Sequence, residues 1–499
     1  MTNTASAPNL ELSFSQLPEI MFSKAQPGEV TQPQSLLLNT TLANDLGIDQ
    51  TWLLSDDALQ VLSGNHPLQG LAEGQGSIAT AYTGHQFGQL NPRLGDGRAH
   101  LLGELITSTG TRVDIQLKGS GRTPYSRQGD GRSPLGPVIR EYLVSESMAA
   151  LGVPTSRSLA AIATGDNVWR DRGAEPGAVL TRIAESHIRV GSFQYAAMQG
   201  PDVVQELADY VSARHFADMP VSAMPYLDLL QSVITKQANL IAQWMSIGFI
   251  HGVMNTDNML VCGQTIDYGP CAFMDAYFPQ QVFSFIDRQG RYRYDNQPGI
   301  GQWNLVRFAE TLLPIMGDDR DQAVTEAQTA LNDYQTQYEL AYAQRMAAKL
   351  GLTASHAELV TELLHILQAG DLDYTLSFRY LMTLLVPDGD PGRQQYGLPM
   401  AVYTPSDDLL VWQKKWLSVI ETQGHKANSL ALMAQNNPIF IPRNHLVDAA
   451  IKASYKGDFS LTNDLLAATA QPFTYDPKWQ HLATPPQAEQ IIANTFCGT

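Results

Sequence analysis

The segment from position 251 to 260 reads His-Gly-Val-Met-Asn-Thr-Asp-Asn-Met-Leu, and Ile266-Asp267-Tyr268-Gly269 follows it closely. Asn258 and Asp267 stand nine positions apart, with the apolar run Met259-Leu260-Val261 and a turn at Gly263 between them. An amide and a carboxylate presented this way are hard oxygen donors, suited to an Mg2+ or Mn2+ ion that bridges phosphates. Gly269 is expected to let the chain turn sharply behind the Asp267 ligand. Asp-Tyr-Gly is weak on its own, because Asn and Asp are also ordinary turn formers. Its order among other parts strengthens it. Lys118 closes a strand-like stretch and Glu141 lies in the first turns of the next helix, which is the arrangement of a lysine–glutamate pair that positions phosphates. Where a conventional His-Gly-Asp phosphotransferase loop carries its base, this chain has Val253, which cannot accept a proton. The nearest acid is Asp257, beside the Asn258 ligand.

A polyanion also needs cations. Residues 91–140 hold eight Lys or Arg against four Asp or Glu, a local +4 within a chain of net charge −17. Glycines interleave with these cations. Gly84-His-Gln-Phe-Gly88 comes first, then Gly95-Asp-Gly-Arg98, which is echoed at Gly129-Asp130-Gly131-Arg132. Glycine-rich backbone approaches phosphate oxygens closely. Arg182 and Arg189 are further fork-shaped phosphate partners, but a spacing of seven brings them together only if that segment is helical. His85 and His100 have no motif around them and read as structural.

The elements that must position these groups are visible in the patterning. Ala99 to Ile106 is apolar enough for a strand, residues 107–111 read as a turn, and Arg112 to Lys118 alternates cleanly. Pro137 opens a helix that Gly152 and Pro154 stop. Strands are expected at 157–164 and 177–184, and an amphipathic helix at 227–247. From about 300 onward the chain reads as helical, with Pro-Gly-rich loops near 387–399 and 471–486. The expected division is an N-terminal extension (1–80), a strand-rich lobe (81–185), a helical catalytic lobe (186–320) and a helical C-terminal region (321–499). The fold class is α+β.

Composition narrows the function. The chain has 499 residues, 44% hydrophobic and 16% charged, so it can bury a large core. Its acidic balance argues against a nucleic-acid partner. No apolar run is long enough to span a bilayer. The first basic residue is Lys24, which fits neither a secretory nor a transit peptide, so a cytoplasmic protein is expected. Cys262, Cys271 and Cys497 form neither a disulfide framework nor a zinc pattern.

Together these stretches resemble the selenoprotein O family, the bacterial proteins called YdiU. The matching segments are AYTGHQFGQLNPRLGDGRAHLLGE, DIQLKGSGRTPYSRQGDGRSPLGPVIREYL, TRIAESHIRVGSFQY and GFIHGVMNTDNML with IDYGP, across at least residues 80–310. The resemblance implies a bilobal protein-kinase-like fold, classed as a pseudokinase, that transfers AMP rather than phosphate from a flipped ATP to protein hydroxyls. It places Gly95, Gly97, Arg98, Lys118, Asp130, Gly131, Arg182, Arg189 and Asp267 around ATP. It makes Asn258 and Asp267 the metal ligands and Asp257 the proton acceptor. Some members carry selenocysteine third from the C-terminus, and Cys497 fills that place here. A bond from Cys497 to Cys271, two residues past Asp-Tyr-Gly, would restrain that segment under oxidation. A conventional kinase, transfer of UMP by the same site, and a non-catalytic nucleotide-binding scaffold are the alternatives.

Overall fold

Val113, Ile115 and Leu117 alternate with Asp114, Gln116 and Lys118, and the chain there forms a strand buried on both faces. The computed structural model describes residues 6–495 except 69–70, 72–74, 171–172, 220–221, 391–392, 394 and 397–405. In chain order its first ten strands are β1 (Phe22–Lys24), β2 (Gln34–Leu38), β3 (Ile78–Thr80), β4 (Gly84–Gln86), β5 (Gln89–Asn91), β6 (Ala99–Ile106), β7 (Arg112–Lys118), β8 (Ser133–Pro134), β9 (Arg157–Arg170) and β10 (Gly173–Ala184). All but β4 and β5 join one antiparallel sheet, ordered β1-β3-β6-β7-β10-β9-β2 with β8 on β10. β4 and β5 make a separate hairpin. β6 and β7 occupy the expected residues. β9 and β10 run past 157–164 and 177–184 because they continue as a hairpin whose outer half is largely exposed and so has no core-facing periodicity. The residues read as an N-terminal extension supply β1 and β2, the two ends of the sheet order.

Each sheet face has its own cover. Val113, Ile115 and Leu117 pack with Leu159, Ile162, Val179 and Ile183 beneath α1 (Thr40–Leu46), α2 (Gln50–Leu53) and α3 (Asp56–Ser63). On the opposite face, Leu135, Val138, Ile139, Tyr142 and Leu143 of α4 (Leu135–Ala150) meet Ala161, Ala178 and Leu180. α4 starts two residues before Pro137 and ends where expected, with Gly152 left-handed at φ 77°. Directly opposed residues of antiparallel strands share a face. Arg182 is paired with Gln116, and so joins Asp114, Gln116 and Lys118 on the side that α4 covers. The polar face of β7 is thus a buried charged layer, not a solvated one.

The helical half is built on α5 (Val190–Gln199), α6 (Pro201–His215), α7 (Pro225–Ile247), α8 (Gln297–Leu312) and α9 (Arg320–Lys349). Every apolar position expected on the 227–247 helix is buried in α7, from Leu229 to Met245. Gly248, left-handed at φ 73°, ends α7 and starts β11 (Phe249–Ile250), which pairs with β12 (Ala272–Phe273). Between these strands lies the loop with Asp257, Asn258 and Asp267. Met259–Val261 makes single bridging contacts there: Val190 N donates to the Met259 carbonyl (2.9 Å) and Val261 N to that of Ile188 (3.0 Å). Then come α10 (Ala357–Ala369), α11 (Tyr374–Thr383), α12 (Asp407–Gln423), α13 (Lys426–Asn436), α14 (Asn444–Ser454) and α15 (Ser460–Thr469). α14 and α15 return to α4, so the end of the chain buttresses the sheet as well as the helical core. Among the described residues, no helix is long and apolar enough to cross a membrane.

Candidate active site

Lys118 ends β7 on the face covered by α4, and its Nζ donates to Glu141 Oε2 (2.6 Å) and Asp267 Oδ1 (2.7 Å). Arg182 repeats the pattern: Nε donates to Glu141 Oε1 (2.5 Å) and Nη2 to Asp267 Oδ1. Two cations therefore each bridge the same two carboxylates, and the four charges sum to zero, as a buried cluster requires. Burial would raise the carboxyl of Asp267, but Arg182, Lys118 and Arg189 hold it well below its usual range. Burial of Glu141 is outweighed in the same way by Arg182 and Lys118. The sharp turn expected at Gly269 falls elsewhere. Asp267 itself is left-handed, at φ 65°, and Gly269 does not have a positive φ. Asp tolerates that region better than most residues, because its short side chain bonds locally.

The pairing of Arg182 with Arg189 does not come from a helix. Arg182 lies in β10 and Arg189 in the extended residue that precedes α5. Both side chains turn inward as the chain leaves the sheet. Arg189 is buried, lies 4.3 Å over the Tyr82 ring, and donates from Nη1 to Asp96 Oδ1 (3.4 Å) and the His187 carbonyl (3.2 Å). Its Nε is sealed from solvent with no acceptor.

The two Gly-Asp-Gly-Arg copies fold differently. In the first, Asp96 is buried and accepts from Thr80 N (3.0 Å) and Oγ1 (2.6 Å). A Cβ on Gly95 (φ 121°) would meet the Tyr125 ring at 2.5 Å. That glycine serves close loop packing, as does Gly97, whose Cβ would lie 2.8 Å from the Tyr125 carbonyl. Arg98 receives Gly119 N at its carbonyl (2.7 Å), and its guanidinium has no ion-pair partner among the described residues. In the second copy, Asp130 faces outward and pairs with Arg170 Nη1 (2.8 Å), while Gly131 packs on the Gly121 backbone. The second loop therefore lies against the turn after Lys118, with its carboxylate already engaged.

Asp257 sits across from this cluster. Its Oδ2 accepts from Gln86 Nε2 (3.2 Å), and its Oδ1 is sealed from solvent with no partner. Burial lifts its carboxyl to about 6. A sealed carboxylate oxygen lacking a partner is an acceptor waiting for a donor, although the residue as a whole is only half-buried. Asn258 Nδ2 donates to the Val253 carbonyl (3.0 Å), which leaves its Oδ1 as the free end of the amide. His251 ties this loop to Asp267: Nε2 donates to the Ile266 carbonyl (2.9 Å) and Nδ1 accepts from Val253 N (3.3 Å). No group of three His, Cys, Asp or Glu among the described residues would hold a metal ion alone. An ion here would take Asn258 Oδ1 and Asp267 together with oxygens of a phosphate substrate, a hard donor set that fits Mg2+ or Mn2+.

The β4–β5 hairpin pins the loop from above. His85 N donates to Thr256 Oγ1 (2.7 Å), Thr256 Oγ1 donates to Gln194 Oε1 (2.6 Å), and Phe87 N reaches Asn255 Oδ1 (3.2 Å). A Cβ on Gly84 would intrude on the Asp257 carboxylate, reaching its Cγ at 2.8 Å. Gly84→Ala is therefore expected to displace Asp257 and lower turnover about tenfold or more, since small misplacements of a reacting group are costly. Steady-state turnover, read beside an unchanged thermal midpoint, checks this. Gln86, Thr256, Tyr82 and Asp96 lie in stretches whose signal rests on other residues; only the Gly84–Gly88 run points to this hairpin. His100 is buried with Nδ1 on Ser120 Oγ (2.7 Å), as befits a structural histidine. Cys271 is buried, while Cys497 lies outside the described residues.

Comparison with known proteins gives the family. The family model described as "Protein adenylyltransferase SelO" matches residues 6–470. "Protein nucleotidyltransferase YdiU" of Rhodopseudomonas palustris (strain BisB5) is 49% identical over 494 residues, covering 98% of both chains. The protein of the same description from R. palustris (strain HaA2) is also 49% identical with the same coverage. That from Bacillus cytotoxicus is 48% identical over 497 residues, again covering 98% of each. The chain belongs to the SelO family of protein adenylyltransferases.

Proposed function

We propose that this member of the SelO family transfers AMP from ATP to Ser, Thr or Tyr hydroxyls of proteins on a protein-kinase-like, bilobal framework, with the residues above in defined roles. The observation that carries the reading is the doubled bridge, in which Lys118 and Arg182 each contact both Glu141 and Asp267. Together with Arg189 and the unpaired guanidinium of Arg98, they form a deep cationic grip for a phosphate tail. Gly95, Gly97, Asp130 and Gly131 shape the loops around it. Asn258 and Asp267 would hold Mg2+ or Mn2+, whose chemistry is to offset phosphate charge. With the tail gripped, the α-phosphate is left toward Asp257. Its carboxylate takes the proton of the acceptor hydroxyl as that oxygen bonds to the α-phosphorus. The bond from that phosphorus to the bridging oxygen breaks, and pyrophosphate leaves.

Product identity tests this reading. The account expects pyrophosphate and an acceptor protein heavier by one AMP; ADP and an acceptor heavier by one phosphate would favour a conventional kinase. UTP in place of ATP, read on the same acceptor, decides between AMP and UMP.

A redox restraint is also proposed. Thr495 Oγ1 donates to the Pro270 carbonyl (2.6 Å), which brings the tail beside Cys271 two residues before Cys497. Oxidation is expected to yield a Cys271–Cys497 peptide pair on non-reducing mapping. Two free thiols after oxidant treatment would remove the restraint.

A further inference from the structure

Trp303 of α8 is flanked by two guanidinium groups. The Arg291 carbon lies 4.8 Å from its ring centroid and the Arg307 carbon 5.1 Å, while His85 meets it edge-on at 5.2 Å. The Nε atoms of both arginines are sealed from solvent without an acceptor. Arg307 is neutralised by Glu310 (2.7 Å), but Arg291 has no carboxylate partner among the described residues. Burial, with Arg307 and Arg291 adding to it, keeps His85 below its usual range, so it contributes no charge. In a chain of net charge −17, this leaves a cation on an aromatic support with nothing to balance it.

Its place in the fold gives it meaning. Gly88 abuts the Arg291 guanidinium, at 3.5 Å from where a Cβ would be. Phe87 N donates to Tyr292 Oη (3.0 Å), which donates to Asn255 Oδ1 (2.6 Å). Gln86, one residue earlier, holds Asp257. The step from Gly88 to Gln86 spans at most about 7 Å, and the Gln86 side chain with the contacts at either end adds roughly 13 Å, so Arg291 stands within about 20 Å of the Asp257 carboxylate. An extended peptide rises about 3.3 Å per residue, so that gap covers at most about six residues from the reacting hydroxyl. Arg288, on the same segment, is exposed, and Ile286 beside it shows 57% of its surface.

We propose that Arg291, stacked on Trp303, is a specificity residue that takes an Asp or Glu side chain within about six residues of the acceptor hydroxyl of the substrate protein. The proposal rests on the protein-acceptor reading above. It commits to an acidic peptide; the other anion at this site, the phosphate tail of ATP, is separated from it by the test.

The test uses the full-length enzyme, α-labelled ATP, a divalent ion, and Ser, Thr or Tyr peptides carrying Glu, Gln or Lys at each of about six flanking positions on either side. The wild type is expected to favour Glu over Lys by about tenfold or more at one position, the scale of a charge-assisted hydrogen bond. Arg291→Glu should invert that preference toward Lys, Arg291→Gln should flatten it, and Arg291→Lys should retain it. The Gln variant secures the reading if the Glu variant fails to fold. Equal labelling of Glu and Lys peptides by the wild type overturns the proposal while leaving AMP transfer intact. So does an Arg291→Gln enzyme that keeps its acidic preference, or one that changes only the KM for ATP. Absence of α-label in every peptide contradicts the transfer reading and the proposal together.

Discussion

Asp257→Asn is expected to reduce AMP transfer by about 10²–10⁴-fold, the usual worth of a general base, while ATP still binds. The same change should stabilise the protein. In the folded chain, burial lifts this carboxyl from 3.8 to about 6. Between those values the folded state binds the proton that the unfolded state has lost, so wild-type stability falls as pH rises from about 4 to about 6, then stays level. An Asn side chain escapes that loss. The variant should therefore match the wild type near pH 4 and exceed it above pH 6 by about 1–2 kcal/mol, discounted because Asp257 is partly exposed. Thermal midpoints across that range check the sign. The acid limb of kcat/KM, which reports the free enzyme, should lie near pH 6 in the wild type and be absent from residual turnover in the variant. An Asn variant that transfers AMP at the wild-type rate would make Asp257 a bystander.

Lys118→Met is expected to cost both stability and activity. It leaves Glu141 and Asp267 bridged by Arg182 alone, two carboxylates sharing one directly paired cation. Removing one member of a buried charged cluster typically costs several kcal/mol, and the remaining Arg182 should limit this to about 2–4 kcal/mol. Because Asp267 loses a partner that helps to keep it ionised, the stability deficit should widen as pH rises through the usual carboxyl range and level off above it. Transfer should fall by about 10³-fold or more through weaker grip of the phosphates and a displaced Asp267. Glu141→Gln in the same background removes the excess carboxylate and should recover part of the stability but not the transfer. A denaturant titration of the wild type, both single variants and the double variant measures this, and purely additive losses would show that the cluster is not coupled.

The parts of this site legible from sequence were those whose chemistry obeys a period. Lys118 could be placed at a strand end because charged and apolar residues alternate from Arg112 onward. α7 could be placed because one face is apolar along its whole length. Arg182 and Arg189 were found by type, but their meeting depends on a sheet exit that no local pattern encodes. The turn at Asp267 was assigned to the nearby glycine, because a left-handed carboxylate residue leaves no mark in composition. β1 and β2 were missed as strands. They have three and five residues, and β2 (Gln-Ser-Leu-Leu-Leu) lacks alternation, so only pairing with β3 and β9 defines them. The β4–β5 hairpin turns at Phe87 (φ 51°) and Gly88 (φ 83°), and Phe at the first position is not a recognisable turn signal. The roles of Gln86 and Gly84 at Asp257 are hidden for that reason, although one holds its carboxylate and the other makes room for it. Val253, in contrast, was informative from sequence alone: a residue that cannot take a proton sent attention to Asp257.

The central claim is that the grip of Lys118, Arg182 and Asp267 presents the α-phosphate, not the γ-phosphate, to the acceptor. Parallel reactions with α-labelled and γ-labelled ATP, a divalent ion and an acceptor protein test it most directly. The account predicts label in the protein from the α position only. Label from the γ position only would contradict it, whatever the geometry of the site.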